Sequence, residues 1–330
     1  MTSFHASDPD GSASDSRIIY RRTVIGEGHT DRDIRRALRD QQIERLRQGS
    51  YVSSSAYADL EDYERAETRY RDMVVAAARS GGPRRFLSHQ SAAVMLGVPL
   101  LNPDRSTVHF VSERSGRTSP GLAIHQAPIP DEHVVSIDGI LVTSIGRTVC
   151  DVARLGNLRQ AVCALDSGLY QGRIREQPID LAAIVDALGP CHGINVLRTA
   201  LLMATDLSES IGETISRCIF CESELIPDPE LQVVITLADG TMYRCDFGWR
   251  DSEGNLRVVG EFDGRLKYHR ASADSGAMLP EEVIYDEKLR EDAIRARDIT
   301  FARWTWNELA APRRLTERIH DALLRGGVLK

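Results

Sequence analysis

The sequence predicts an α/β protein in several parts: a C-terminal domain with a mixed sheet and flanking helices, an N-terminal helix-and-hairpin unit, and a middle α+β region. Three observations carry this prediction. From about residue 207 the apolar pattern runs helix, three strands, helix, strand, helix. The stretch 17–57 places an arginine-rich amphipathic helix before a glycine-turned strand pair. At 330 residues the chain exceeds one ordinary core.

The elements are read in order. Residues 1–16 are polar and predict a disordered tail without a signal segment. No apolar run reaches membrane-spanning length, so the sequence predicts a cytoplasmic protein with no membrane partner. In 17–57, Thr30 is placed to cap a helix over Asp31–Arg39, with acids in its first turn and arginines later. Ile34, Ala37 and Leu38 form its apolar stripe, and Arg32, Arg35, Arg36 and Arg39 line the other side. Ile43–Val52 then alternates as a strand pair around Gly49 and carries Arg45 and Arg47. A helix followed by a basic wing is the layout of a winged helix, which reads duplex DNA.

Residues 58–205 form the middle region. Helices are predicted at Glu61–Arg79, Ser88–Gly97, Thr148–Leu155, Leu158–Leu169 and Leu181–Leu188, with strands at Thr107–Val111 and Ile140–Val142. His89 and His192 read as structural residues. The C-terminal domain, 206–330, is expected to hold helices over Ser210–Leu225, Glu281–Arg297 and Arg313–Leu324. Its strands are expected at Glu230–Leu237, Met242–Trp249, Leu256–Asp263 and Thr300–Trp306.

Charge separates the two ends. Nine arginines face five acids within 17–49, whereas 206–330 holds 17 basic and 24 acidic residues. Basicity thus points to nucleic acid at the N-terminal end alone. Lys267, Lys288 and Lys330 are the only lysines, so Lys267 stands out in a chain that writes its positive charge as arginine. The six cysteines are sparse and irregularly spaced, which predicts reduced thiols rather than a disulfide framework.

The chemistry is predicted at Asp246, Glu261 and Asp263. A hairpin symmetric about Glu253 and Gly254 sets Asp246 opposite Glu261. Like charges so opposed are destabilising unless a cation lies between them. Asp263 shares the face of Glu261, so three carboxylates converge as a hard cation requires. The same register sets Arg244 opposite Asp263, an ordinary ion pair.

Asp246-Phe-Gly-Trp, together with Val259-Gly-Glu261-Phe-Asp263-Gly-Arg-Leu-Lys267-Tyr, resembles the nuclease core of the Vsr-like (very-short-patch-repair) branch of the PD-(D/E)XK superfamily. Glu287-Lys288-Leu-Arg290-Glu-Asp292 and Phe301-Ala-Arg303-Trp304 are similar to the helix and strand that close that core. The resemblance implies a restriction-endonuclease-like fold and Mg²⁺ or Mn²⁺ held by Asp246 and Glu261, with Asp263 beside them. It also implies hydrolysis of phosphodiester bonds, and Glu213 matches the acid that the family's first helix contributes. Ser210-Ile-Gly-Glu213 also reads as a capping box. The superfamily pattern has lysine where this chain has Asp263, so Lys267 or His269 is expected to supply the basic group.

The first two-thirds are similar to AbiEi-type antitoxin proteins through Arg36-Ala-Leu-Arg39, Arg45-Leu-Arg-Gln-Gly-Ser-Tyr51-Val and Ser88-His89-Gln-Ser91-Ala-Ala. That resemblance implies a DNA-binding repressor, with a toxin protein or a second copy of the chain as partner. The expectation is therefore a DNA-binding protein with a metal-dependent endonuclease-like domain. The alternative is a non-enzymatic antitoxin-like repressor whose nuclease fold is inactive.

Overall fold

The computed structural model describes residues 15–81, 85–237, 239–264, 294 and 296–330. Helices and mixed sheets make it an α/β protein. Its contacts divide it into two units, Met1–Leu202 and Met203–Lys330.

The first unit opens with β1 (Ile19–Tyr20), α1 (Arg21–Gly26), α2 (Asp31–Arg39), β2 (Ile43–Arg47) and β3 (Ser50–Ser53). The strands form a sheet in the order β1-β3-β2, antiparallel throughout. Ile19, Val24, Ile34, Ala37, Ile43 and Tyr51 enclose one small core beneath α2. Thr30 and Asp33 close a capping box at the start of α2, satisfying two of its free amide groups. The alternation expected in β2 is broken by a bulge between Arg45 and Arg47, which turns Leu46 into the interior beside Ile43.

The unit continues with α3 (Asp62–Ser80), β4 (Phe86–Leu87), α4 (His89–Leu96), β5 (Val108–Ser112), β6 (Arg117–Ser119), β7 (Leu122–Gln126), β8 (Val134–Ile137) and β9 (Ile140–Thr143). The helices α5 (Ile145–Ala153), α6 (Leu158–Ile174), α7 (Leu181–Leu188) and α8 (Ile194–Met203) follow. The strands build one six-stranded mixed sheet in the order β6-β7-β5-β4-β9-β8, where the sequence predicts only two strands. In it β5 pairs parallel with β7, and β4 parallel with β9. Tyr57 and Arg17 both donate to the enclosed Asp72 carboxylate, Tyr57 at 2.9 Å and Arg17 at 2.9 and 3.0 Å, so residues before the sheet are tied to α3.

The second unit comprises α9 (Ile211–Cys221), β10 (Glu230–Thr236), β11 (Met242–Arg250), β12 (Leu256–Asp263), β13 (Thr300–Thr305), α10 (Trp306–Leu309) and α11 (Pro312–Arg325). The predicted helix over 281–297 falls almost wholly outside the described residues. The sheet order is β10-β11-β12-β13, with the first two pairings antiparallel and the last parallel. Phe220 of α9 packs edge-on against Phe247, Trp249 and Trp304, with ring centroids 5.3–5.6 Å apart. Trp304 is fully buried and donates its indole N–H to Ser216 Oγ at 2.7 Å. Glycine at 260 is required by this packing, since a Cβ there would meet the Trp304 ring at 2.6 Å.

Candidate functional site

The acids of the second unit lie where two strands part. The β11–β12 turn is closed by Asp251, whose carboxylate accepts the amide protons of Glu253 and Asn255 at 2.9 Å each. A bulge between Trp249 and Arg250 follows, and the paired residues run from Arg250–Leu256 to Phe247–Gly260. One step further on, Asp246 Oδ2 accepts the backbone N–H of Phe262 at 2.9 Å. The carboxylate thus enters between the strands at the end of their ladder.

Glu261 faces the other neighbour, being paired in register with Arg303 of β13. Arg303 Nη2 donates to Glu261 Oε2 at 3.3 Å, with both side chains largely covered. Asp263 is half-buried and sits opposite Thr305. Arg244 forms its ion pair with Glu209, at 2.8 Å, instead of with Asp263.

Glu213 is deeply buried and holds the start of α9. Its carboxylate accepts from Ser210 Oγ at 2.7 Å, from the Glu209 N–H at 2.9 Å and from Gln232 Nε2 at 3.1 Å. Three donors account for most of its accepting capacity, as expected of a buried carboxylate serving a cap. Lys267 and His269 lie outside the described residues.

On α2 of the first unit, Arg32, Arg35, Arg36 and Arg39 are exposed. Arg36 lies 3.3 Å from Asp33, and Arg35 donates to the Asp31 carbonyl at 3.2 Å. Arg45 is exposed on β2. Arg47 is half-buried; its Nη1 has no hydrogen-bond partner among the described residues, and burial lowers its pKa. The bulge before it is the physical cause, since the inserted residue turns Arg47 out of the strand's alternation.

A further cluster is one the sequence does not predict. His89, His109 and His125 each present a nitrogen within 4.8 Å of the others, and among the described residues no other three His, Cys, Asp or Glu side chains come so close. His109 Nδ1 lies 3.0 Å from His125 Nε2, and His89 Nδ1 2.9 Å from Ser88 Oγ. Desolvation lowers all three pKa values, that of His109 to about 4, so the rings are neutral at pH 7. Nearby, the enclosed Asp151 carboxylate accepts from Arg147 at 2.9 Å and from Arg154 at 3.0 Å.

No family model matches the chain. Two uncharacterized proteins from two strains of Mycobacterium tuberculosis are each 30% identical to it over 158 residues, 48% of this chain and 55% of each relative. The chain therefore spans about half the length of the curated relatives it matches. Among the described residues no helix is long and apolar enough to cross a membrane.

Proposed function

We propose that the chain is a DNA-binding protein whose second unit is a restriction-endonuclease-like, Vsr-type phosphodiester hydrolase, with residues 17–57 as its winged-helix DNA reader. The observation that carries this reading is the position of two carboxylates at the parting of adjacent strands. Asp246 and Glu261 emerge where the β11–β12 ladder ends, in a unit that runs from helix through three antiparallel-paired strands to a parallel fourth.

The donors fit a hard divalent cation in kind. Mg²⁺ is commonly held by one or two carboxylates together with waters and substrate phosphates. Asp246 accepts from Phe262 and Glu261 from Arg303, and these two carboxylates, with Asp263 beside them, are the groups proposed to hold Mg²⁺ or Mn²⁺. When bound, such an ion lowers the pKa of its water and offsets charge on the phosphoryl group. Arg303 fixes the carboxylate of Glu261, and the Phe262 amide fixes that of Asp246, so both are oriented before substrate arrives. Lys267 is the proposed cationic partner of the scissile phosphate.

Supercoiled plasmid incubated with the full chain and Mg²⁺ or Mn²⁺ tests this reading. The wild type is expected to nick or linearise it, and Asp246→Asn and Glu261→Gln each to lose at least about 100-fold of that rate. A specific observation favours the alternative, a repressor with an inactive nuclease fold: both further acids are already engaged, Glu261 by Arg303 and Glu213 by Ser210, Glu209 and Gln232. Salt-sensitive duplex binding without cleavage by the wild type would select that alternative.

A further inference from the structure

His89, His109 and His125 come from three different elements of the first unit. His89 opens α4, His109 lies in β5, and His125 lies in β7, where it pairs with Val111. The site is stitched together by its own backbone. The Ser88 N–H donates to the His109 carbonyl at 3.1 Å, and the His109 N–H donates to Ser91 Oγ at 2.8 Å. His89 is fully enclosed, yet its Nε2 has no hydrogen-bond partner among the described residues, and neither has Nε2 of His109. A buried polar nitrogen left unpaired is destabilising, and two within one three-ring cluster call for a ligand. His89 also holds φ at +52°, a left-handed backbone uncommon for a non-glycine residue and often seen at functional sites.

We propose that His89, His109 and His125 form a binding site for a divalent transition-metal ion of the zinc class, fastening α4 to the β5–β7 pair. Three neutral imidazoles are the donor set of zinc, copper or nickel, and a poor one for Mg²⁺. Ser88 Oγ lies 2.9 Å from His89 Nδ1, and in the tautomer where Nδ1 donates to it the lone pair stands on Nε2, the second contact that orients metal-binding histidines. Two imidazoles on one tetrahedral ion, at roughly 2.0–2.1 Å from each nitrogen, have ring centroids about 5 Å apart. The His89–His109 and His109–His125 centroids are 5.4 and 5.3 Å apart. Those of His89 and His125 are 4.0 Å apart, so that stacked pair opens by about 1 Å on binding. Three protein ligands leave a fourth position for water or an exogenous donor.

The test uses the full chain, stripped with EDTA and titrated with Zn²⁺ against a chromophoric chelator, and with Co²⁺ for its visible spectrum. One ion per chain is expected, with tetrahedral Co²⁺ bands. Binding should persist in the double variant Asp246→Asn, Glu261→Gln, which separates this site from the carboxylates of the second unit. His109→Asn and His125→Asn are each expected to weaken binding by at least about 100-fold, with circular dichroism reporting whether they fold. Should either variant fail to fold, proton NMR of the Co²⁺-loaded wild type decides, through far-shifted exchangeable imidazole N–H signals. Absence of stoichiometric binding, absence of those signals, binding unchanged in folded His109→Asn and His125→Asn, or binding lost with the acids would each overturn the site. In that case the three rings are a packed, hydrogen-bonded stack.

Discussion

Asp246 accepts the Phe262 amide proton at 2.9 Å, and this one bond distinguishes two substitutions that remove the same charge. Asp246→Asn retains an oxygen for Phe262 and should shift stability by less than about 1 kcal/mol. Asp246→Ala leaves the part-buried N–H without its acceptor and should destabilise the second unit by about 1–3 kcal/mol. Urea denaturation of both variants without metal checks this; equal losses would mean that the bond contributes nothing. The sequence placed Asp246 opposite Glu261 through a turn symmetric about Glu253 and Gly254. In the structure the pairs from Trp249–Val258 to Phe247–Gly260 keep that register by another route, since Arg250–Leu256 next to the turn is offset by one residue and the bulge after Trp249 restores it; Asp246 and Glu261 lie one step beyond the last pair. What could not be read was the partner of each acid. Arg303 lies 42 residues beyond Glu261 in the chain, and only the parallel pairing of β12 with β13 sets them side by side.

Among the elements, α2 and the β2–β3 pair allow the sharpest separation of roles. Arg32, Arg35 and Arg39 are exposed on α2, whereas Arg47 is drawn inward behind the bulge of β2. If the first three contact phosphate, replacing each by alanine should weaken duplex binding and lower the slope of log affinity against log salt by about 1. Arg47→Ala should leave that slope unchanged while destabilising the unit. Fluorescence anisotropy across a salt series measures both, and a slope that falls equally for Arg47 and Arg35 would reverse the assignment. Elements with local signals were legible: Thr30 caps α2, and Asp180 caps α7 over the predicted Leu181–Leu188. The six-stranded sheet was not. Its strand Phe86–Leu87 is two residues long, and β5 pairs with β7 instead of its neighbour β6, so neither length nor alternation announces the sheet. The histidine cluster was hidden for the same reason, since positions 89, 109 and 125 share no local spacing and meet only once that sheet forms.

At the scale of the whole molecule, buried groups set the response to acid. His109 titrates near pH 4 in the folded protein, and His89 and His125 are also depressed, whereas unfolded histidine titrates near pH 6.5. Between those values the unfolded chain binds more protons than the folded one, so stability is full above about pH 6.5 and falls as pH drops toward about 4. Thermal melts of EDTA-treated protein over this range should show Tm decreasing with pH, and His109→Gln should flatten the fall. A Tm independent of pH would show that the rings are not buried neutral groups.

The parallel β12–β13 pair also has a consequence in time. Val258 pairs with Thr300, so the first residue of the closing strand is made 42 residues after its partner. At roughly 5–20 residues per second, a ribosome takes about 2–8 s to cover that distance. During this interval the β12 edge that β13 will occupy presents unpaired amide and carbonyl groups, and Gly260 lacks the indole of Trp304 that later covers it. Neighbouring nascent chains on one message would carry the same open edge in the same seconds. For this unit, crowding at the site of synthesis competes directly with completion of its sheet.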